Sequence, residues 1–431
     1  MGRNYLVLLL IPVAPLGLSG QSPLDPLNKE LPKWVRLGGE LRYRPEFLGN
    51  QRFDEARDDG YLLSRVRLSV SLKPASWFSA FVEGQDAHVH FNQLVPNQPG
   101  FQDMMDLRQA FADVGQVGKT VVALRIGRQE INFGDQRLLG SANWGNVARS
   151  FDAARAVLHW SRVEVHGFAA SVVAAREGAF DRHVAGDNLH GGWASIRTNA
   201  NGGPVLEPFF FWHLAPRVAG ERGGTGKLNL WTSGVRTVAK AGPKWDLKME
   251  LVRQGGKWGG DTVSSWAGFG SASRKLPGRW SPRWINEYNY ASGDKNPADG
   301  RHNTFDILYP TPHDKYGLGD QIGWKNIHHI GSWIEVQPRK ALILEGKFHT
   351  WWLASERDGI YAATGGLQVR DPSGRSGRHV GYELDLQGFY TFTKAIRLSG
   401  GVGYVIPGEF LKKASPGGSN TFAYMMLTYT L

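Results

Sequence analysis

Arginine recurs at alternate positions in this sequence: Arg42 and Arg44, then Arg65 and Arg67. A guanidinium stays charged at any physiological pH, and its planar fork binds carboxylates two bonds at a time. If the chain is extended, the alternation puts Arg36, Arg42, Arg44, Arg65, Arg67, Arg125, Arg155, Lys248 and Lys347 on one side of their strands. Glu40, Glu46, Glu83, Glu250, Glu345, Glu383 and Asp385 fall on the same side. Two chemistries fit. The charges can pair as ladders within a wall, or an excess of arginine can form a positive constriction that attracts and passes an anion. The segment Leu124 to Asn146 carries Arg125, Arg128, Asp135 and Arg137 out of a strand into a long polar, glycine-rich loop. Folded inward, such a loop would narrow a channel; exposed, it would be an ordinary outer loop.

Other constellations are weaker. His88-x-His90 sets two imidazoles on one strand face, with His159, His166, His328 and His329 elsewhere, but a metal needs a third converging ligand. Asp294, Asn296 and Asp299 before Gly300 are spaced somewhat like a calcium loop without its closing glutamate. No metal is assigned. There is no G-x-S-x-G, Walker A or H-E-x-x-H motif, so no catalytic residue and no cofactor are expected. The absence of cysteine excludes disulfides, thiolate chemistry and a lipoprotein anchor.

The elements that must hold these charges alternate with period two. Val35, Leu37, Gly39, Leu41 and Tyr43 oppose Arg36, Glu40, Arg42, Arg44 and Glu46. Val380, Tyr382, Leu384, Leu386, Tyr390 and Phe392 oppose Glu383, Asp385, Gln387 and Thr391. An apolar face beside a continuous charged face suits a barrel wall with lipid outside and water inside. Short connections (Pro74 to Ser76, Thr393 to Ala395) alternate with long ones (His90 to Asp106, Gly134 to Asp152, Gly293 to Lys325), as periplasmic turns and extracellular loops do. Segments beginning near 34, 62, 77, 107, 121, 154, 163, 189, 205, 228, 245, 264, 284, 327, 341, 380, 396 and 421 predict an all-β transmembrane antiparallel barrel of about 18 strands. Residues 1–20 read as a signal peptide, 21–33 as a flexible lead-in and 34–431 as the barrel. A net charge of +11, 16 Trp and 55 Gly fit a basic protein with aromatic girdles and many turns. Its partners would be polyanions, and the leader directs them away from nucleic acid.

The chain resembles the alginate-export family of outer-membrane barrels. The resemblance rests on Asp106 to Asp113 (DLRQAFAD), LRIGRQE from Leu124, FGDQRLLG from Phe133, NWGNVARSFDAAR from Asn143, EYNYASGD from Glu287, NTFDILYPTPHDKYG from Asn303, IGWKN from Ile322 and FAYMMLTY from Phe422. It spans roughly Leu37 to Leu431. It implies an 18-stranded barrel in the bacterial outer membrane whose arginine-rich lumen conducts a polyuronate, without catalysis or cofactor. Carried onto this chain, the substrate path comprises Arg65, Arg67, Arg108, Arg125, Arg128 and Arg137. Arg128 has the opposite parity to Arg125, so either a bulge re-aims it or it stands at a loop base.

The expected function is passive export of an anionic polysaccharide, with a general or small-anion porin and a non-transporting surface barrel as alternatives. Expected contacts are the polysaccharide and outer-membrane lipid or lipopolysaccharide, with a periplasmic export partner left open.

Overall fold

In a computed structural model, residues 22–96, 100–199, 203–220 and 224–431 are described; the leader, residues 1–20, lies outside them. One sheet of nineteen strands contains almost all of the regular structure. One strand, Arg301–His302, is a two-residue piece within a loop, which leaves eighteen wall strands. In chain order these are β1 Val35–Gly49, β2 Asp59–Ala75, β3 Phe78–His90, β4 Asp103–Val114, β5 Val122–Gln129, β6 Phe151–Trp160, β7 Val163–Ala174, β8 Arg182–Arg197 and β9 Val205–Ala219. There follow β10 Thr225–Ala241, β11 Trp245–Trp258, β12 Asp261–Lys275, β13 Arg283–Ala291, β14 Ile327–Arg339, β15 Leu342–Leu353, β16 His379–Thr391, β17 Ile396–Pro407 and β18 Asn420–Thr430. Each pairs antiparallel with its neighbours in sequence, and β1 pairs with both β2 and β18, which closes the ring. The eighteen strands expected from alternation are the eighteen observed.

The pleat sorts the side chains as the alternation predicts. Leu68, Ile126, Leu384 and Leu386 are exposed on the outside, while Arg65, Arg67, Glu383 and Asp385 are buried within. An outward apolar band over an inward charged face requires lipid on one side, because that much apolar surface is not left in contact with water. Among the described residues no helix is long and apolar enough to cross a membrane, so the strands make the crossing. The lead-in holds a short helix, Asp25–Glu30, and Asn28 is tied to the Leu37 backbone by two hydrogen bonds of 2.8 and 2.9 Å.

Turn lengths follow the expected asymmetry with several departures. On the long-loop rim, β11 and β12 are joined by residues 259–260 alone; on the opposite rim, β12 and β13 are separated by 276–282. Adjacent strands β5 and β6 are short, 8 and 10 residues long beside 12 in β4 and β7.

The interior is not an open tube. Its largest cluster joins inward wall residues Phe168, Trp193, Phe209, Phe211 and Trp351 to Phe133, Leu138, Leu139, Phe305, Ile307, Tyr316, Ile322 and Trp324 from two loops.

Candidate functional site: a plugged, charged lumen

The first loop is 130–150, between β5 and β6. Phe133 stacks on Trp193 of β8 at 5.3 Å, Arg137 pairs with Glu287 of β13 at 2.7 Å, and Trp144 lies edge-on to Tyr424 of β18. Only a segment crossing the lumen reaches strands spread around the ring in this way. The second loop is 292–326, between β13 and β14. Leu318 packs on Phe422 and Tyr424, Gly319 N–H donates to Glu383 at 2.9 Å, and Asp314 pairs with Lys347 of β15 at 2.5 Å. Gly317 has φ +129, and a Cβ there would overlap the Glu383 carboxylate, so glycine is what lets this loop press against the wall. The loops hold each other through a parallel bridge between Leu139 and Tyr309, and His313 stacks on Trp144 at 3.6 Å.

Arg137 is the point where both loops meet the wall. Its guanidinium donates to Glu287, to Asn289 Oδ1 at 3.1 Å and to the Tyr316 hydroxyl at 3.0 Å, and it lies 3.7 Å from the Phe269 ring centre. Burial works against its charge, but Glu287, Tyr316 and Glu250 together outweigh this and hold the proton more tightly than usual. For Asp314, burial opposes ionisation, yet Lys347 and His313 beside it keep the carboxyl below its ordinary value.

Of the six arginines read as a substrate path, three converge. Arg65 Nη1 donates to the Asn143 carbonyl at 3.2 Å, and Arg67 Nη1 and Arg108 Nη2 both donate to Asn143 Oδ1 at 3.0 Å. Arg42 joins them, bonding the Asn143 and Gly145 carbonyls at 2.9 and 2.8 Å. A bulge between Glu83 and Gly84 of β3 and their partners in β4 leaves Arg108 unpaired in the ladder. There it meets Glu83 and Glu130, as sequence parity alone does not require. Arg65 is paired with Glu40 at 2.5 Å. Among the described residues Arg67 has neutral hydrogen-bond partners only, Gln85 and Asn143.

The other three stand apart. Arg125 forms a two-bond pair with Asp113 towards the short-turn rim. Arg128 shares the outward parity of Ile126 and stands at the loop base, one of the two placements its parity left open. It binds Asp152 and the carbonyls of Leu107 and Asp181. Arg137, on the first loop, sits against β13 on the opposite wall.

Below the plug, towards the short-turn rim, lies a cavity of about 450 Å³. Its bases are Arg137, Lys248, Arg283, Lys315 and Lys347, and its acids are Asp135, Asp246, Glu287, Asp314 and Glu335, in equal number. Lys315 and Asp314 escaped the sequence reading because they lie in a loop. The available signal was apolar content, since Phe305, Ile307, Leu318, Ile322 and Trp324 are out of place in a loop exposed to water.

Burial, with Arg137 nearby, pushes the Lys315 ammonium down to about 8. We expect anion preference to fall as pH is raised from about 7 to about 9, since the cavity loses that charge. Lys315→Met should abolish this pH step in bilayer reversal potentials. The unfolded lysine titrates near 10.5, so the unfolded chain binds more protons between about 8 and 10.5. This group therefore makes stability rise with pH across that window.

The two candidate metal motifs of the sequence are used for structure. Asp294 accepts the N–H groups of Asn296 and Asn303 at 2.6 and 2.9 Å, and Asp299 accepts that of Arg301 at 2.8 Å. His88 bonds Asp86, and His90 bonds Ser64.

A closed eighteen-stranded barrel with an apolar exterior, a charged interior and inward-folded loops defines a channel protein of the bacterial outer membrane. The chain belongs to the alginate export family, whose model matches residues 33–424. Among solved structures it is similar to OccK8 (OprE) of Pseudomonas aeruginosa, with 11% identity and a TM-score of 0.61 over 93% of this chain and 98% of that one. It is likewise similar to OpdO of Pseudomonas aeruginosa, with 11% identity and a TM-score of 0.61 over 94% and 99%. A third is OccAB2 of Acinetobacter baumannii, with 12% identity and a TM-score of 0.61 over 92% and 98%. At these identities the likeness concerns the fold. No curated protein matches the chain.

Proposed function

We propose that this barrel passively exports an anionic polysaccharide of the polyuronate class, and that the described state is closed. The observation that carries the reading is the convergence of Arg42, Arg65, Arg67 and Arg108 on Asn143 to Asn146, with Arg67 bonded to no carboxylate among the described residues. Movement of the first loop would leave these guanidiniums facing the lumen, where many weak carboxylate contacts permit both capture and release. The family description, alginate export, supports the same cargo. The outer apolar band would rest against lipid and lipopolysaccharide. No catalytic step is assigned.

A second reading, a channel for small anionic solutes, is favoured by one feature: with both loops in place the cavity of about 450 Å³ holds a small molecule and not a polymer. Planar-bilayer recording separates the two. Polyuronate export predicts an anion-over-cation reversal potential and current blocked by added oligouronate from the short-turn side. Block by single uronate residues alone supports the small-solute channel, and a barrel that is cation-selective, or that stays silent even in the Arg137→Ala variant, overturns both.

A further inference from the structure

At the long-loop rim, loop 175–181 joins β7 to β8 beside the short strands β5 and β6. The loop reaches back to the start of β4, where the Asp181 N–H donates to Asp106 at 2.6 Å. Asp103, Asp106 and Asp181 are all buried here, and one carboxylate oxygen from each lies within 4.8 Å of the others. Asp103 is only 2% exposed, and among the described residues its buried Oδ1 has no hydrogen-bond donor. Glu177, in the same loop and close enough to act on Asp103, takes Gln102 Nε2 on one oxygen and leaves Oε2 buried without a partner.

Among the described residues no arginine, lysine or histidine forms an ion pair with any of these four acids. Arg128 is the neighbouring cation, but its guanidinium is taken by the Asp152 carboxylate and by the Leu107 and Asp181 carbonyls. Facing carboxylates buried without a counter-charge are strongly unfavourable. A buried orphan oxygen on a member of such a cluster therefore calls for a cation or a shared proton.

We propose that Asp103, Asp106 and Asp181 bind a calcium ion, with Glu177 as a further oxygen donor, and that the ion clamps loop 175–181 onto β4. The donors are all hard oxygens, which suits calcium and not zinc. Calcium–oxygen distances of about 2.3–2.6 Å place ligand oxygens up to about 5 Å apart across the ion, which the observed spread satisfies. Magnesium demands a tighter octahedron, whereas carboxylates from a strand and an irregular loop fit the looser calcium shell.

The test uses the full-length barrel refolded in detergent free of lipopolysaccharide and stripped with EDTA. Calcium titration by calorimetry should show one saturable site, with a Kd on the order of 10⁻⁴–10⁻³ M as in extracellular calcium modules. Tryptic cleavage at the exposed Arg176 should slow when calcium is added. The Asp103→Asn/Asp181→Asn pair should weaken binding at least about 10–100-fold, the loss typical of damaging a metal site. If that variant does not fold, the protease comparison on the unaltered protein decides. Cleavage at Arg176 unaffected by calcium, no saturable binding, or equal binding by the folded double variant overturns the proposal; the first two are what a shared proton predicts.

Discussion

Replacing Arg137 with alanine should turn a mostly closed barrel into one that opens frequently, raising mean conductance in planar bilayers by at least an order of magnitude. The reasoning follows from what this side chain joins. It carries the first loop, grips Glu287 and Asn289 on the wall, and donates to Tyr316 of the second loop. Breaking a buried ion pair by removing one partner costs about 3–5 kcal/mol, since the remaining charge is buried without compensation. That penalty falls on the closed state: once the loops move, water reaches Glu287. At about 1.4 kcal/mol per factor of ten, a loss of roughly 3 kcal/mol shifts the closed-to-open ratio about a hundredfold. Glu287→Gln should act in the same direction and more weakly, because the amide still accepts from the guanidinium. Unaltered conductance in Arg137→Ala, with the barrel shown folded by its heat-dependent gel mobility, would mean that the loops are held elsewhere or do not gate.

The wall was legible because its physics is periodic and local. Alternation at Val380 to Phe392 needs only the pleat and two solvents, and β16 spans His379–Thr391. The site was legible only in part. Arg65 and Arg67 were placed by the same alternation, but Arg108 points inward through a bulge that depends on its pairing with β3. The separation of Arg125 from Arg67 depends on height along the wall, which sequence parity does not encode. Asp314 and Lys347 are remote in sequence, and their pairing arises only when a loop folds inward. The apolar residues of that loop report burial without saying against which strands. The basic composition suggested an electropositive passage, but most lumen arginines have carboxylate partners and the cavity below the plug is balanced in charge. Positive excess is local, concentrated where Arg67 and Arg42 meet neutral acceptors.

That concentration yields the second large expectation. Arg67→Glu should lower anion-over-cation permeability by about tenfold in 0.1 M salt, measured by reversal potential both alone and in the Arg137→Ala background. Two unit charges about 4 Å apart interact by about 1 kcal/mol in water and by more near protein, so a reversal of two charge units supplies more than the roughly 1.4 kcal/mol required. Arg67 is the residue to reverse because among the described residues no carboxylate is bonded to it, and the substitution would set a new carboxylate near Glu40 and Glu83. Arg125→Glu should have a smaller effect: Arg125 is already neutralised by Asp113, and it stands towards the turn rim, away from the Asn143 cluster. Screening gives an internal check. The Debye length falls from about 10 Å at 0.1 M to about 3 Å at 1 M, so the Arg67 effect should shrink steeply with salt if it is electrostatic. A change in selectivity independent of salt would point instead to a rearranged loop around Asn143. No change at 0.1 M in the opened background would remove Arg67 from the path.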